Sequence, residues 1–150
     1  MTISEAYHQL SSRLAALYDK REAAAMADQV LEKITGLQKV DRLVHREAAL
    51  SPTQQTELQQ YTAELLNHRP LQYVLGECWF AGRQFLVNEK VLIPRPETEE
   101  LVEWIVDDLR QSSGPSKTAL DIGTGSGCIA VALKIKCPDL NVQALDVSED

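Results

Sequence analysis

An all-α bundle, a β-hairpin connector and the start of an α/β domain, in that order, are what this sequence predicts. Three observations carry that prediction. Apolar residues recur at steps of three and four through the first 70 residues. Aromatic and β-branched residues then gather between Tyr73 and Ile93. From Thr118 to Leu145 an apolar strand run, a glycine-rich turn, a helical run and a second strand run follow one another. The domain organisation expected is residues 1–70 helical, 71–96 connector and 97–150 the first part of the α/β domain.

Composition narrows the class. The chain has 150 residues, 44% of them hydrophobic and 25% charged, with a formal net charge of -7. That usage is globular and excludes a disordered tail, a collagen-like repeat and a disulfide miniprotein. The acidic balance argues against a general nucleic-acid binder. The longest apolar run, Cys128 to Leu133, is far short of the roughly 20 residues that span a bilayer. Residues 1–10 contain Glu5 and His8 and no apolar core, so they do not read as a secretory signal. Cys78, Cys128 and Cys137 lack C-x-x-C spacing. They read as reduced thiols of a cytoplasmic protein, with no metal site.

The elements follow in order. Thr2 and Glu5 form a capping box for a helix with Tyr7, Leu10, Leu14 and Leu17 on its apolar face. Asp19 to Glu22 caps a second helix, with Ala23, Met26, Ala27, Val30, Leu31 and Ile34 inward and Gly36 as its stop. A shorter helix is expected from about Val40 to Ala49. Ser51-Pro52 opens a fourth, with Leu58, Tyr61, Leu65 and Leu66 as its stripe and Pro70 as its end. His8, His45 and His68 are isolated in this bundle and read as surface or packing residues. Ala81-Gly82 marks a hairpin turn in the connector, with Trp79, Phe80 and Phe85 expected in its core. Pro94-Arg95-Pro96 starts a further helix. Glu97, Glu99 and Glu100 favour the positive end of its dipole, and Leu101, Val102, Ile105 and Leu109 form its buried face. Gln111 to Ser116 is a loop by composition.

The chemistry lies after Lys117. Thr118 to Ile122 reads as a buried strand, Gly123-Thr-Gly-Ser-Gly127 as the turn, Cys128 to Lys136 as a helix and Asn141 to Leu145 as a second strand. Open α/β sheets bind ligands at the carboxyl ends of such strands. Glycines let backbone approach a ligand closely, and the helix N-terminus beyond offers N–H groups to an anionic group such as a carboxylate. Asp146 ends the second strand nineteen residues after Gly127, the spacing of an acid that grips ribose hydroxyls. The dinucleotide fingerprint requires a small third residue where Cys128 stands, which argues against a dehydrogenase. What is present is Asp121-x-Gly123-x-Gly125-x-Gly127.

That pattern resembles motif I of S-adenosylmethionine-dependent methyltransferases. Two further stretches extend the resemblance. Arg69-Pro-Leu-Gln-Tyr-Val-Leu-Gly76 with Trp79-Phe80, Gly82 and Phe85, and Val91-Leu-Ile-Pro-Arg-Pro-Glu-Thr-Glu99, closely resemble the N5-glutamine methyltransferases of peptide chain release factors (the HemK/PrmC type). Pro94 to Thr98 is similar to the release-factor branch and not to the ribosomal-protein branch. The resemblance implies a Rossmann-like domain that holds S-adenosyl-L-methionine on Gly123, Thr124, Gly125, Ser126, Gly127 and Asp146. It implies that Asp121 faces the methionine ammonium or braces the turn, and that Arg95, Glu97 and Thr98 lie at the pocket rim. It also implies cytoplasmic methylation of the glutamine in a release factor's Gly-Gly-Gln motif, with the helical domain gripping that partner. Neither membrane nor nucleic acid is expected as a direct partner.

In this family an Asn-Pro-Pro-Tyr motif after the fourth strand orients the acceptor amide. The asparagines here are Asn67, Asn88 and Asn141, and none precedes Pro-Pro. The expectation is therefore the N-terminal portion of such an enzyme, truncated after the second strand, without catalytic residues and inactive alone. The alternative reading is a non-enzymatic module that binds a release factor or another protein and keeps a vestigial cofactor half-site.

Overall fold

The computed structural model describes residues 1–112 and 117–148. They fall into two compact units, Met1–Leu75 and Gly76–Asp150. The first is helical: α1 (Ile3–Leu14), α2 (Lys20–Thr35), α3 (Lys39–Val44), α4 (Pro52–Leu66) and α5 (Leu71–Leu75). Local chemistry sets most of these limits. Thr2 and Glu5 satisfy each other's backbone N–H groups at the start of α1. The Asp19 carboxylate accepts from Arg21 and Glu22 at the start of α2, and Gly36 closes it at φ 68°. Ser51 begins α4 with Pro52 in its first turn. Ser51 also forms a second reciprocal box with Gln54, which the sequence reading had not paired.

Leu10, Leu14, Val30, Leu31 and Leu65 are fully buried between α1, α2 and α4. Replacing Leu65 with alanine is expected to destabilise this unit by about 2–5 kcal/mol. A urea titration would show this as a lower midpoint with an unchanged slope.

Three expectations need correction here. Leu17 is exposed, because α1 ends at Leu14 and the chain turns away. The third helix stops at Val44 instead of reaching Ala49. Residues 48–50 spend their backbone groups on the N-terminus: Ile3 N donates to Ala48 O, Leu50 N donates to Met1 O, and Thr2 bridges Ala49. Leu71–Leu75, expected with the connector, forms a fifth helix. The Pro70 carbonyl accepts from Tyr73 and Val74 N–H, and Leu71, Val74 and Leu75 join the core of the helical unit.

The second unit opens with an antiparallel hairpin, β1 (Glu77–Phe80) and β2 (Arg83–Leu86), in which Phe80 pairs with Arg83. Ala81 and Gly82 both have positive φ, 49° and 72°, as a two-residue turn that matches strand twist requires. Strand alternation buries Cys78 and Phe80 on one face, and Phe80 meets Phe85 edge to face at 6.2 Å. Trp79 therefore points the other way and is exposed, which corrects its expected place in the connector core.

Helix α6 (Pro96–Gln111) carries Glu97 and Glu99 in its first turn, with Glu100 beyond it. Its buried residues are Val102 and Val106. Leu101 is exposed, and Ile105 and Leu109 are half-buried, so the inward stripe is narrower than expected. Of the expected loop after it, residues 113–116 lie outside the described residues. Lys117 then donates to the carbonyls of Leu109, in the last turn of α6, and of Ser112, its C-cap. The βαβ unit is β3 (Thr118–Ile122), α7 (Cys128–Lys136) and β4 (Asn141–Leu145). Its strands are parallel, and Ile122 pairs with Leu145. Helix α7 packs on the strands and against α6, where Lys136 meets Glu103 at 2.7 Å. The β3 strand was expected to be buried; Leu120 and Ile122 are exposed instead. The half-buried residues of these strands, Ala119, Asp121 and Val142, belong to the opposite face of the pleat.

Candidate cofactor site

The parallel pairing of β3 and β4 brings two carboxyl ends side by side, and Asp121, the turn from Gly123 to Gly127 and Asp146 meet there. The turn from Gly123 to Gly127 leaves β3 and enters α7. Three of its glycines have positive φ: Gly123 at 75°, Gly125 at 54° and Gly127 at 76°. Side chains rarely adopt that conformation. Open space surrounds the position that a Cβ would take at each of them. The turn thus presents bare backbone to solvent.

Its ends are tied down. Gly123 N and Thr124 N both donate to the Leu145 carbonyl, at 2.8 and 3.2 Å, which joins the turn to the end of β4. Gly127 N donates to Thr124 O at 2.9 Å, and Gly127 is the N-cap of α7. The Thr124 hydroxyl donates to Asp121 Oδ2 at 2.7 Å. One oxygen of Asp121 is thereby spent on bracing the turn while the carboxylate stays half-buried beside it.

Asp146 closes the arrangement. Its Oδ2 accepts from Gly125 N at 2.7 Å, and its Oδ1 accepts from Ser148 N at 3.0 Å. These backbone donors, Ser148 foremost and then Gly125, hold the carboxyl below the ordinary aspartate range. The group is exposed, and each oxygen keeps a lone pair for a further donor. Sequence spacing had indicated an acid near the turn; the direct bond to Gly125 was not visible in it.

The site is chemically suited to a ligand with hydroxyls at one end and charged groups at the other. Asp146 offers an anionic acceptor and Asp121 a second. The N-terminus of α7 offers backbone donors and a positive dipole end. Ser126 lies half-buried within the turn. Arg95, Glu97 and Thr98 belong to the first turn of α6, where Thr98 N donates to Arg95 O. Among the described residues, no recorded hydrogen bond joins these three to the glycine turn. The cysteines Cys78, Cys128 and Cys137 are free thiols.

Comparison with known proteins gives consistent results. Residues 5–76 match the model of the PrmC N-terminal domain. A release factor glutamine methyltransferase of Flavobacterium psychrophilum is 41% identical over 150 residues, covering 99% of this chain and 53% of the relative. One of Chlorobaculum tepidum is 41% identical over 132 residues, covering 86% of this chain and 45% of the relative. One of Bacillus subtilis is 35% identical over 154 residues, covering 99% and 51%. The chain spans about half the length of the curated relatives it matches.

Proposed function

The chain belongs to the release factor glutamine methyltransferase family, and from that premise we propose that it holds the cofactor half of an S-adenosylmethionine-dependent enzyme. The complete reaction is methylation of N5 of the glutamine in a release factor's Gly-Gly-Gln motif, in the cytoplasm. Residues 1–70, with α5 in the same core, serve as the release-factor-binding domain. Residues 76–96 are the connector, and residues 97–150 begin the methyltransferase domain. Among the described residues, no helix is long and apolar enough to cross a membrane.

The bond from Gly125 N to Asp146 supports this reading most directly. It joins a bare glycine backbone and a strand-end acid, from two different strands, into one cradle. The residues fit the cofactor: positive-φ glycines with open space, a helix N-terminus and two carboxylates of different surroundings. When bound, S-adenosylmethionine supplies a methyl group on a sulfonium. Asp146 accepts from ribose hydroxyls. Asp121, held by Thr124, faces the ammonium. The turn from Gly123 to Gly127 fits against the methionine part. An amide nitrogen is a weak nucleophile because its lone pair is delocalised, so orientation and aligned hydrogen bonds must supply the rate. The Asn-Pro-Pro-Tyr motif assigned to that task does not occur in these 150 residues.

Residues 1–150 alone are accordingly expected to leave a release factor unmethylated. Joined to the remaining part of the Flavobacterium psychrophilum relative, they are expected to add one methyl group to the glutamine-bearing tryptic peptide, read by mass spectrometry. Methylation by residues 1–150 alone would sink the inactive half-site. A folded chimera that binds release factor but not S-adenosylmethionine would return the binding-module reading.

A further inference from the structure

The two carboxylates beside the glycine turn are held in unlike ways. Asp146 is exposed, and backbone N–H groups engage both of its oxygens, Gly125 N at 2.7 Å on Oδ2 and Ser148 N at 3.0 Å on Oδ1. Asp121 is half-buried, and its side chain receives one hydroxyl, Thr124 Oγ1 on Oδ2 at 2.7 Å. Among the described residues, no recorded ion pair reaches Asp121. A carboxylate partly withdrawn from water is ordinarily matched by a cation or by several donors. One neutral hydroxyl offsets less of its charge than two backbone N–H groups offset at Asp146. Asp121 is therefore the acid with the larger demand for a cationic partner, and Oδ1 is its open acceptor.

The group that fixes Asp121 is itself fixed. Thr124 N donates to Leu145 O at 3.2 Å, at the end of β4, and Thr124 O accepts from Gly127 N at 2.9 Å, at the N-cap of α7. Thr124 is thus clamped between the second strand and the helix, while Gly123 and Gly125 on either side take the positive φ that the turn demands. A β-branched side chain on a fixed backbone has few χ1 choices. An ionised carboxylate only accepts, so the single proton of the hydroxyl lies between Oγ1 and Oδ2. That bond fixes the rotation of the Asp121 carboxylate and leaves Oδ1 for a further donor. Valine has the same branching and keeps both backbone bonds; it removes this donor alone.

We propose that Thr124 is a positioning residue: its hydroxyl holds Asp121 in the rotation that receives a primary ammonium on Oδ1, and so sets the site's preference for ligands that bear one. The identity of the ligand rests on the function proposed above; the unlike tasks of the two acids rest on their unlike bonding. Asp146, with backbone donors on both oxygens, serves neutral hydroxyls. Thr124 acts through Asp121 and touches no reacting atom. Serine in its place keeps the donor, whereas valine keeps the shape without the donor.

The test titrates the 150-residue chain and the chimera with two ligands, S-adenosylhomocysteine and the same compound without its amino group, and reads their affinity ratio on each protein that binds. Wild type is expected to prefer the ammonium-bearing ligand by about ten- to a hundredfold, the worth of a charge-assisted hydrogen bond. Thr124→Val and Asp121→Asn should each reduce that preference to less than about threefold, and the double variant should reduce it no further. Thr124→Ala, which also lacks the donor, should match valine, and Thr124→Ser should keep the wild-type ratio. A turn that is merely loosened weakens both ligands together and leaves the ratio in place, so the ratio reads positioning and not stability. A second measurement needs no ligand: the side-chain carboxyl carbon resonance of Asp121 should move in Thr124→Val and stay in place in Thr124→Ser. A wild-type ratio in Thr124→Val overturns the proposal, as does an unmoved Asp121 resonance or a ratio that serine loses along with valine. Equal wild-type affinity for the two ligands overturns it too. If Asp121→Asn keeps the ratio, the ammonium lies elsewhere and Thr124 is only a turn brace, while the cofactor reading stands. If neither the chain nor the chimera binds S-adenosylhomocysteine, the cofactor reading fails and the positioning role fails with it.

Discussion

Asp146→Ala is expected to weaken S-adenosylmethionine binding by about ten- to a hundredfold, the worth of a charge-assisted hydrogen bond. Two losses combine. The ribose hydroxyls lose an anionic acceptor, and Gly125 N–H loses the partner that fixes the middle of the turn. Asp146→Asn should fall between wild type and alanine, since an amide oxygen still accepts from Gly125 but carries no charge. Calorimetric titration of the chimera with the cofactor, beside its product S-adenosylhomocysteine, measures both variants. Alanine affinity equal to wild type would mean that Asp146 is only a turn brace.

The pH dependence has a definite sign. Backbone donors from Ser148 and Gly125 lower the Asp146 pKa from its ordinary value of 3.8. The ionised form is therefore the one that the folded turn favours. Its contribution is fully present above the ordinary carboxyl range and is lost as pH falls through the lowered folded value. Cofactor affinity should thus be insensitive to Asp146 titration between about pH 5 and 8. Protonation should loosen Gly125 only in stronger acid, where amide exchange at Gly125 would quicken together with that at Ser148. Asp146→Asn removes that step, which separates this carboxyl from Asp121, beside it in the same site.

What could be read in advance follows the range of the interactions involved. Thr2 with Glu5, Asp19, Gly36 and Ser51-Pro52 act within one helical turn, so the helix ends were legible from neighbouring residues. The glycine turn was legible for the same reason, since only local backbone conformation demands Gly123, Gly125 and Gly127. Trp79 was misplaced because strand parity depends on register, and the hairpin pairs Cys78 with Phe85 and leaves Trp79 on the open face. Leu120 and Ile122 were misplaced because apolarity marks a strand without showing which of its faces a helix covers. Two long-range pairings escaped altogether. Asp146 meets Gly125 across 21 residues, and Arg42 meets Asp28 across 14. Nothing local announces either one. The orientation of α3 follows from the second: Arg42 is buried and Val40, Leu43 and Val44 are exposed, where hydropathy alone would turn those three inward.

Arg42→Ala is expected to destabilise the helical unit by about 2–4 kcal/mol, somewhat less than breaking a fully buried ion pair. Arg42 is buried, while Asp28 keeps a fifth of its side chain exposed. Removing the guanidinium leaves the Leu37 carbonyl without its Arg42 donor and Asp28 facing Lys39 alone, at 2.6 Å. Lys39 cannot take over. Its ammonium is already drawn above the ordinary lysine range by that hydrogen bond and by the Asp28 charge, and its side chain lies largely in solvent. Arg42→Lys should recover only part of the loss, since one ammonium cannot match a planar fork that reaches Leu37 O and Asp28 together. Urea denaturation of wild type, Arg42→Ala, Asp28→Asn and the double variant forms a cycle that isolates the pair. A double variant about as stable as Asp28→Asn would show the arginine acting through Asp28; strict additivity would show it acting through Leu37 O and packing. Arg42 is the only buried residue of α3, so it is the tether that keeps Val40, Leu43 and Val44 facing out. If Arg42→Ala instead costs less than about 0.5 kcal/mol, the range of an ordinary surface change, α3 is held by its neighbouring backbone, and its outward stripe would survive the loss of its anchor.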